Sequence, residues 1–261
     1  MMEFTSEGTG VEIDPPECEE WFRRGLYCSA TGRYERAIVS FSNALKVNPE
    51  FKKAYIALAY ALDRVGRSLE AAETCEGVFG SMQENTDALF AMAKAFHHLG
   101  RFERSIEILD RVIRNDLSHT EAWHLKGNSL YHLGKYTEAV ECYKRATELN
   151  PAFVKAWFNK GVNYTALSRF EDAIRCFDRC LQFNPGYAEV WKKRGVALGA
   201  MGRYEEAASS FGRAVEINPR DASSIHSRGI CFQRIGRQEE AEVEFSKARS
   251  LPRFHELIGL L

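Results

Sequence analysis

Tryptophan recurs in this chain with a fixed step. Trp123, Trp157 and Trp191 are 34 residues apart, and Trp21 lies three such steps before Trp123. A small residue follows four positions later in every unit, at Gly25, Ala59, Ala93, Gly127, Gly161, Gly195 and Gly229. A period of this length constrains the fold more than composition does. One supersecondary unit cannot bury its apolar face alone, so copies must stack on their neighbours. The 261 residues therefore read as one array and not as two compact domains.

Within Thr120 to Phe153 the apolar positions Trp123, Leu130 and Leu133, then Ala139, Tyr143 and Ala146, show helical periodicity twice over. Gly134 separates the two halves and Pro151 ends the second. The break recurs as Gly32-Arg33-Tyr34, Gly66-Arg67, Gly100-Arg101-Phe102, Gly134-Lys135-Tyr136, Ser168-Arg169-Phe170, Gly202-Arg203-Tyr204 and Gly236-Arg237. Pro49, Pro151, Pro185 and Pro219 close four units at the same position, where proline cannot continue a helix. Each unit is thus a helix, a tight turn and a second helix.

These residues resemble the tetratricopeptide repeat. The family pattern has an aromatic at position 4, a small residue at 8, an aromatic or apolar residue at 11, Ala at 20, an aromatic at 24, Ala at 27 and Pro at 32. The fifth unit reads Trp157, Gly161, Tyr164, Ala173, Phe177, Cys180, Pro185; the sixth reads Trp191, Gly195, Leu198, Ala207, Phe211, Ala214, Pro219. The resemblance implies an all-α, right-handed α-solenoid superhelix of seven helix-turn-helix repeats at about 18–51, 52–85, 86–119, 120–153, 154–187, 188–221 and 222–251. Trp21, Trp123, Trp157 and Trp191, with Gly25, Gly127, Gly161, Gly195 and Gly229, are its structural positions. Units two and three depart from it: Gln83 and Leu117 replace the proline, and Tyr55 and Leu89 replace the tryptophan. Looser packing is expected there.

At the ends, residues 1–17 carry acids and no Lys or Arg over Met1 to Pro16, and are expected to form a disordered leader without the basic start of a signal peptide. Residues 252–261 are apolar (Phe254, Leu257, Ile258, Leu260, Leu261) and are expected to cap the last unit, giving a monomer; pairing of two chains through this stretch is the alternative.

The implied function is a non-enzymatic protein–protein interaction scaffold that binds a peptide or helix of a partner protein in its concave groove. In the family's geometry positions 2, 5, 9, 12 and 13 face that groove. They include Phe90, Lys94, His97 and His98 of unit three; Glu121, His124, Asn128, Tyr131 and His132 of unit four; Lys155, Phe158 and Val162 of unit five, with Asn159 adjacent; and Glu189 and Lys192 of unit six, with Lys193 adjacent. Unit seven adds His226, Gln233 and Arg234. The alternative is a co-chaperone-like module gripping a C-terminal carboxylate. Asn128 and Asn159 match that clamp, but His124 and Lys193 replace a Lys and an Arg, and Glu189 puts an acid where a base belongs.

Other chemistries find little support. The seven cysteines match no disulfide or zinc spacing and read as reduced core thiols of a cytoplasmic protein. Five histidines fall between His97 and His132, and His98 and His132 share position 13 of successive units, but no carboxylate or thiolate stands at matching spacing for a metal. His255-Glu256 lacks the second histidine of a zinc-protease helix, since Gly259 stands in its place. No phosphate loop, dinucleotide fingerprint or nucleophile elbow occurs, so no cofactor and no catalysis are expected. A formal net charge of −1 gives no bulk attraction to nucleic acid or an anionic membrane. Position 7, apolar in most family members, is Arg24, Lys126, Lys160, Arg194 and Arg228 here. The row reads as snorkelling or ion-paired structure, with a basic stripe for an acidic ligand as the other reading.

Overall fold

The computed structural model describes residues 16–76 and 86–251. Among them there are fourteen α-helices and no strand. The chain divides into two units, residues 1–117 and 118–261. The first holds α1 (Pro16–Ala30), α2 (Tyr34–Val47), α3 (Lys52–Arg64), α4 (Ser68–Glu76), α5 (Thr86–His98) and α6 (Phe102–Asn115). The second holds α7 (Thr120–His132), α8 (Tyr136–Leu149), α9 (Val154–Ala166), α10 (Phe170–Phe183), α11 (Ala188–Ala200), α12 (Tyr204–Ile217), α13 (Ala222–Arg234) and α14 (Gln238–Arg249). The leader and C-terminal segment expected from the sequence lie, apart from Pro16 and Glu17 at the start of α1, outside the described residues.

Within each unit every helix packs on the next in sequence, and alternate first helices also touch: α1 with α3, α3 with α5, α7 with α9, and α9 with α11. This is the sequential helix-pair packing of a solenoid. The turns between paired helices share one backbone solution. The residue after each turn glycine donates its N–H five residues back, as from Arg33 to Cys28 O (2.8 Å), Lys135 to Leu130 O (2.9 Å) and Arg203 to Leu198 O (3.0 Å). That hydrogen bond needs a left-handed residue just before it, and six of the seven turns supply glycine with φ between +72° and +81°. The seventh uses Ser168, at φ +56°. An L-residue with a Cβ costs about 1–2 kcal/mol in this region. Ser168→Gly is therefore expected to stabilise the chain by about 1 kcal/mol, read as a raised urea midpoint at unchanged slope.

The core within a repeat rests on one recurring contact. A Cβ added to Gly161 would stand 2.6 Å from the Phe177 ring, one on Gly127 2.6 Å from Tyr143, one on Gly195 2.9 Å from Phe211, and one on Gly229 2.7 Å from Phe245. Gly25 meets Phe41 in the same way. In each pair the ring comes sixteen residues after the glycine. Repeats two and three have no ring there, holding Cys75 and Leu109, and they have alanine in place of glycine, Ala59 and Ala93. In repeat three, where Ala93 and Leu109 are both buried, bulk is exchanged between the two helices while the seam stays filled.

The tryptophans sit at the repeat boundary. Trp157 Nε1 donates to Pro151 O and Trp191 Nε1 to Pro185 O, both at 2.9 Å. The basic row at position 7 lies on these rings. Lys160 Nζ stands 4.8 Å from the Trp157 centroid, Arg24 5.2 Å from Trp21, Arg194 5.8 Å from Trp191 and Lys126 5.9 Å from Trp123. Arg194 also bonds Asp178 and Ser210, and Arg228 bonds the buried Glu244. In repeats six and seven the row is thus paired as well as packed, while in repeat one Arg24 lies on its ring and remains exposed.

Six described cysteines, Cys18, Cys28, Cys142, Cys176, Cys180 and Cys231, are buried, and none is in a disulfide. Burial pushes the thiols of Cys176 and Cys231 up to about 11 and that of Cys180 to about 12, so they stay protonated. Among the described residues no helix is long and apolar enough to cross a membrane, and no group of three His, Cys, Asp or Glu residues is placed to hold a metal ion.

Candidate functional site

In the first unit the first helices α1, α3 and α5 present side chains that the turns and second helices do not cover. They line a concavity of about 510 Å3. Phe22 and Leu26 of α1, Ile56 and Tyr60 of α3, and Phe90 and Ala91 of α5 form its apolar walls. Leu26 and Tyr60 are 46% and 43% exposed, large for side chains of their kind. Lys53, Asp63, Asp87 and Lys94 supply the charged groups. Asp63 is the ordered one: its side chain is only 7% exposed, and it accepts from His98 Nδ1 at 2.7 Å and faces Lys94 Nζ at 3.6 Å. Ser29 Oγ also lines the concavity and is buried without a hydrogen-bond partner. A buried hydroxyl left in that state is a ready partner for a polar atom of a ligand.

Three residues expected from the sequence, Phe90, Lys94 and His98, belong to this face, and the Asp63 carboxylate gathers Lys94 and His98. Phe22, Leu26, Ile56 and Tyr60 are not among the expected site residues. The signal for them exists in the sequence, because they occupy positions 5 and 9 of repeats one and two, the positions that select Phe90 and Lys94 in repeat three. His98 belongs to the first unit and His132 to the second.

In the second unit α7 and α9 bring His124, Asn128 and Asn159 together. Asn159 Nδ2 donates to Asn128 Oδ1 at 2.8 Å and lies 3.1 Å from His124 Nε2; Tyr143 OH donates to the same Asn128 oxygen at 2.9 Å. His124 packs on Phe153 and Tyr143. Burial, with the Lys155 charge adding to it against a smaller opposing effect of Glu121, pulls the imidazole down to about 4. The ring is neutral near pH 7 and accepts the Asn159 proton. Much of the polar capacity of this trio is thus engaged within the protein.

Lys155 is exposed at the same face, while Phe158 stacks on Tyr187 with ring centroids 5.7 Å apart. Tyr131 is half-exposed beside His132, with centroids 5.6 Å apart. In α11, Glu189 reaches both Lys192 (2.6 Å) and Lys193 (3.7 Å), and Lys192 also faces Asp221 at 3.6 Å. Lys193, which stands where the carboxylate clamp has its Arg, is thus already balanced by Glu189. Val196 and Ile230, at position 9 of repeats six and seven, are exposed aliphatics on their first helices.

Tetratricopeptide-repeat family models match residues 18–51, 127–166, 154–187 and 188–221. A model described as anaphase-promoting complex, cyclosome, subunit 3 matches residues 69–146. No curated protein matches the chain. Among solved structures, it is similar to a tetratricopeptide repeat protein from Parabacteroides merdae, with 19% identity and a TM-score of 0.68 over 94% of this chain and 99% of that one. YrrB, described as a TPR protein with an unusual peptide-binding site, is 20% identical with a TM-score of 0.63, covering 72% of this chain and 97% of its own. MamA from Desulfovibrio magneticus is 20% identical with a TM-score of 0.61, over 64% and 95%. With the fourteen helices, their left-handed turns and the matched family models in agreement, the chain is a tetratricopeptide-repeat protein.

Proposed function

We propose that this chain is a non-catalytic binding module that seats an apolar segment of a partner protein on the first-helix face of repeats one to three. The observation that carries the reading is the concavity walled by Phe22, Leu26, Ile56, Tyr60 and Phe90. Its rings and aliphatics are held by packed helices before any ligand arrives, which limits the ordering cost of binding. An amphipathic helix laid in such a groove buries its apolar face there and meets Lys53 and Asp87 with its polar flanks. The peptide-binding site of YrrB, a protein of similar fold, is in keeping with this reading.

The test is a display library of amphipathic peptides selected on the whole chain. Selected peptides are expected to bind with micromolar affinity and to lose at least about tenfold on Leu26→Glu or Tyr60→Glu. Both side chains are half-exposed, so the melting temperature should hold. Selected peptides that bind both variants as tightly as the parent chain, and lose affinity instead on the His124→Ala, Asn128→Ala double variant, would place the site in the second unit.

A further inference from the structure

A second concavity, of about 550 Å3, opens on another side of α1 and shares no lining residue with the apolar groove. Arg24, Arg33 and Arg36 line it together with Trp21, Tyr27 and Val39. Its one acid, Glu35, already faces Arg67 at 3.7 Å. Among the described residues none of the three arginines forms an ion pair or a side-chain hydrogen bond; Arg24 only overlies the Trp21 ring.

The rest of the chain shows how unusual this is. The turn base of a repeat ordinarily pairs with an acid three residues on: Arg67 with Glu70, Arg169 with Asp172, Arg203 with Glu206, and Arg237 with Glu240. In repeat one that partner position is Arg36. Repeat three makes the same replacement, but Arg104 finds Glu107 three residues further at 2.6 Å. The corresponding residue after Arg36 is Val39. Arg24 likewise lacks the acid that two of its equivalents hold, and overlies a tryptophan ring as Lys160 does. Arg194 holds Asp178, and Arg228 holds Glu244. Where Glu244 stands in repeat seven, repeat one has Ser40, whose hydroxyl donates to Arg36 O. Among the described residues three guanidiniums thus stand without an ion pair around one hollow, with the single acid Glu35 beside them.

We propose that this hollow binds the phosphate monoester of a phosphorylated side chain in a partner protein. Guanidinium forks match a phosphate dianion in charge and in paired N–H geometry. Trp21, Tyr27 and Val39 offer apolar contact to the residue beside the phosphate, which a bare ion would not use. The whole chain has a formal charge of −1, so the attraction is local to this hollow and does not extend to a broad anionic surface.

The experiment uses the full chain and two degenerate peptide pools, one with a fixed phosphoserine and the other with serine at that place. The phosphorylated pool is expected to be retained at least tenfold more strongly, and inorganic phosphate in excess should displace it. Arg33→Ala with Arg36→Ala should remove the preference, while Arg213→Ala, which breaks a paired arginine elsewhere, should leave it unchanged. All three arginines of the hollow are exposed, so the double variant should melt as the parent does. Should it not, Arg33→Lys with Arg36→Lys keeps the charge without the fork and should lower the preference several-fold. Equal retention of the two pools, a preference that survives both double variants, or retention on phosphatidylserine vesicles without retention of phosphopeptide would each overturn the proposal.

Discussion

Phe177→Ala is expected to lower the unfolding free energy of the second unit by about 3–5 kcal/mol, measured by urea titration of helical circular dichroism. The ring is fully buried among Ala173, Leu181, Val190 and Leu198. Its edge fills the space that Gly161 leaves on the neighbouring helix, so removing it opens a cavity on both sides of the seam. The variant series that isolates this contact is Gly161→Ala, Phe177→Leu and the two together. The alanine alone gains helix propensity of up to about 1 kcal/mol, but its Cβ would stand 2.6 Å from Phe177 Cε1. Leucine alone leaves a void. The pair reproduces what repeat three already carries, Ala93 with Leu109, both buried. The double variant should therefore be more stable than the sum of the single effects by about 1 kcal/mol or more. Strict additivity would show that the ring and the glycine do not depend on each other.

The second large effect is an acid sensitivity centred on His124. Burial holds its folded-state imidazole at about 4, against 6.5 for the exposed group. Between these values the unfolded chain binds a proton that the folded one refuses. Stability from this residue is thus complete above about pH 6.5, falls as the pH drops toward 4, and levels off below. The full fall is on the order of 3 kcal/mol, large against the usual 5–15 kcal/mol of a folded domain. His124→Gln, which keeps an acceptor for Asn159 and does not titrate, should flatten the urea midpoint between about pH 7 and pH 4.5 relative to the parent. A parent midpoint that already shows no decline over that interval would mean that the imidazole is solvated and the Asn159 contact is not maintained.

The parts of this protein that obey the 34-residue step are legible in its sequence, and the reason is physical. Trp157, Gly161 and Phe177 must each fit a neighbour of fixed shape in every repeat, so packing writes them periodically. Even the Ser168 turn is visible, because it stands where six glycines stand. Residues that face solvent answer to no neighbour. Leu26 and Tyr60 share a register position with Lys94 and Asn128, and nothing in packing distinguishes them. The sequence reading reaches the groove of repeats one to three only through Phe90, Lys94 and His98, because it takes groove positions from repeat three onward and leaves positions 5 and 9 of repeats one and two unread. The mutual bonding of His124, Asn128 and Asn159 is hidden for a different reason. It joins residues 31 and 35 positions apart across two helices, which a pattern read one repeat at a time does not connect. Of the arginines of the α1–α2 hollow only Arg36 stands out in the sequence, a base at a position where five repeats keep an acid and repeat three keeps Arg104.

The pairing of each glycine with the ring sixteen residues later has a consequence for how such a gene changes. Both partners lie inside one repeat, so duplication or loss of a whole 34-residue module transfers a matched set. A recombination breakpoint falling at the turn between α9 and α10, with the donor segment taken from repeat three, would join Gly161 to Leu109 or Ala93 to Phe177. The first chimera carries a hole and the second a collision. Breakpoints tolerated in descendants of this sequence should therefore cluster near the prolines and avoid the glycine turns.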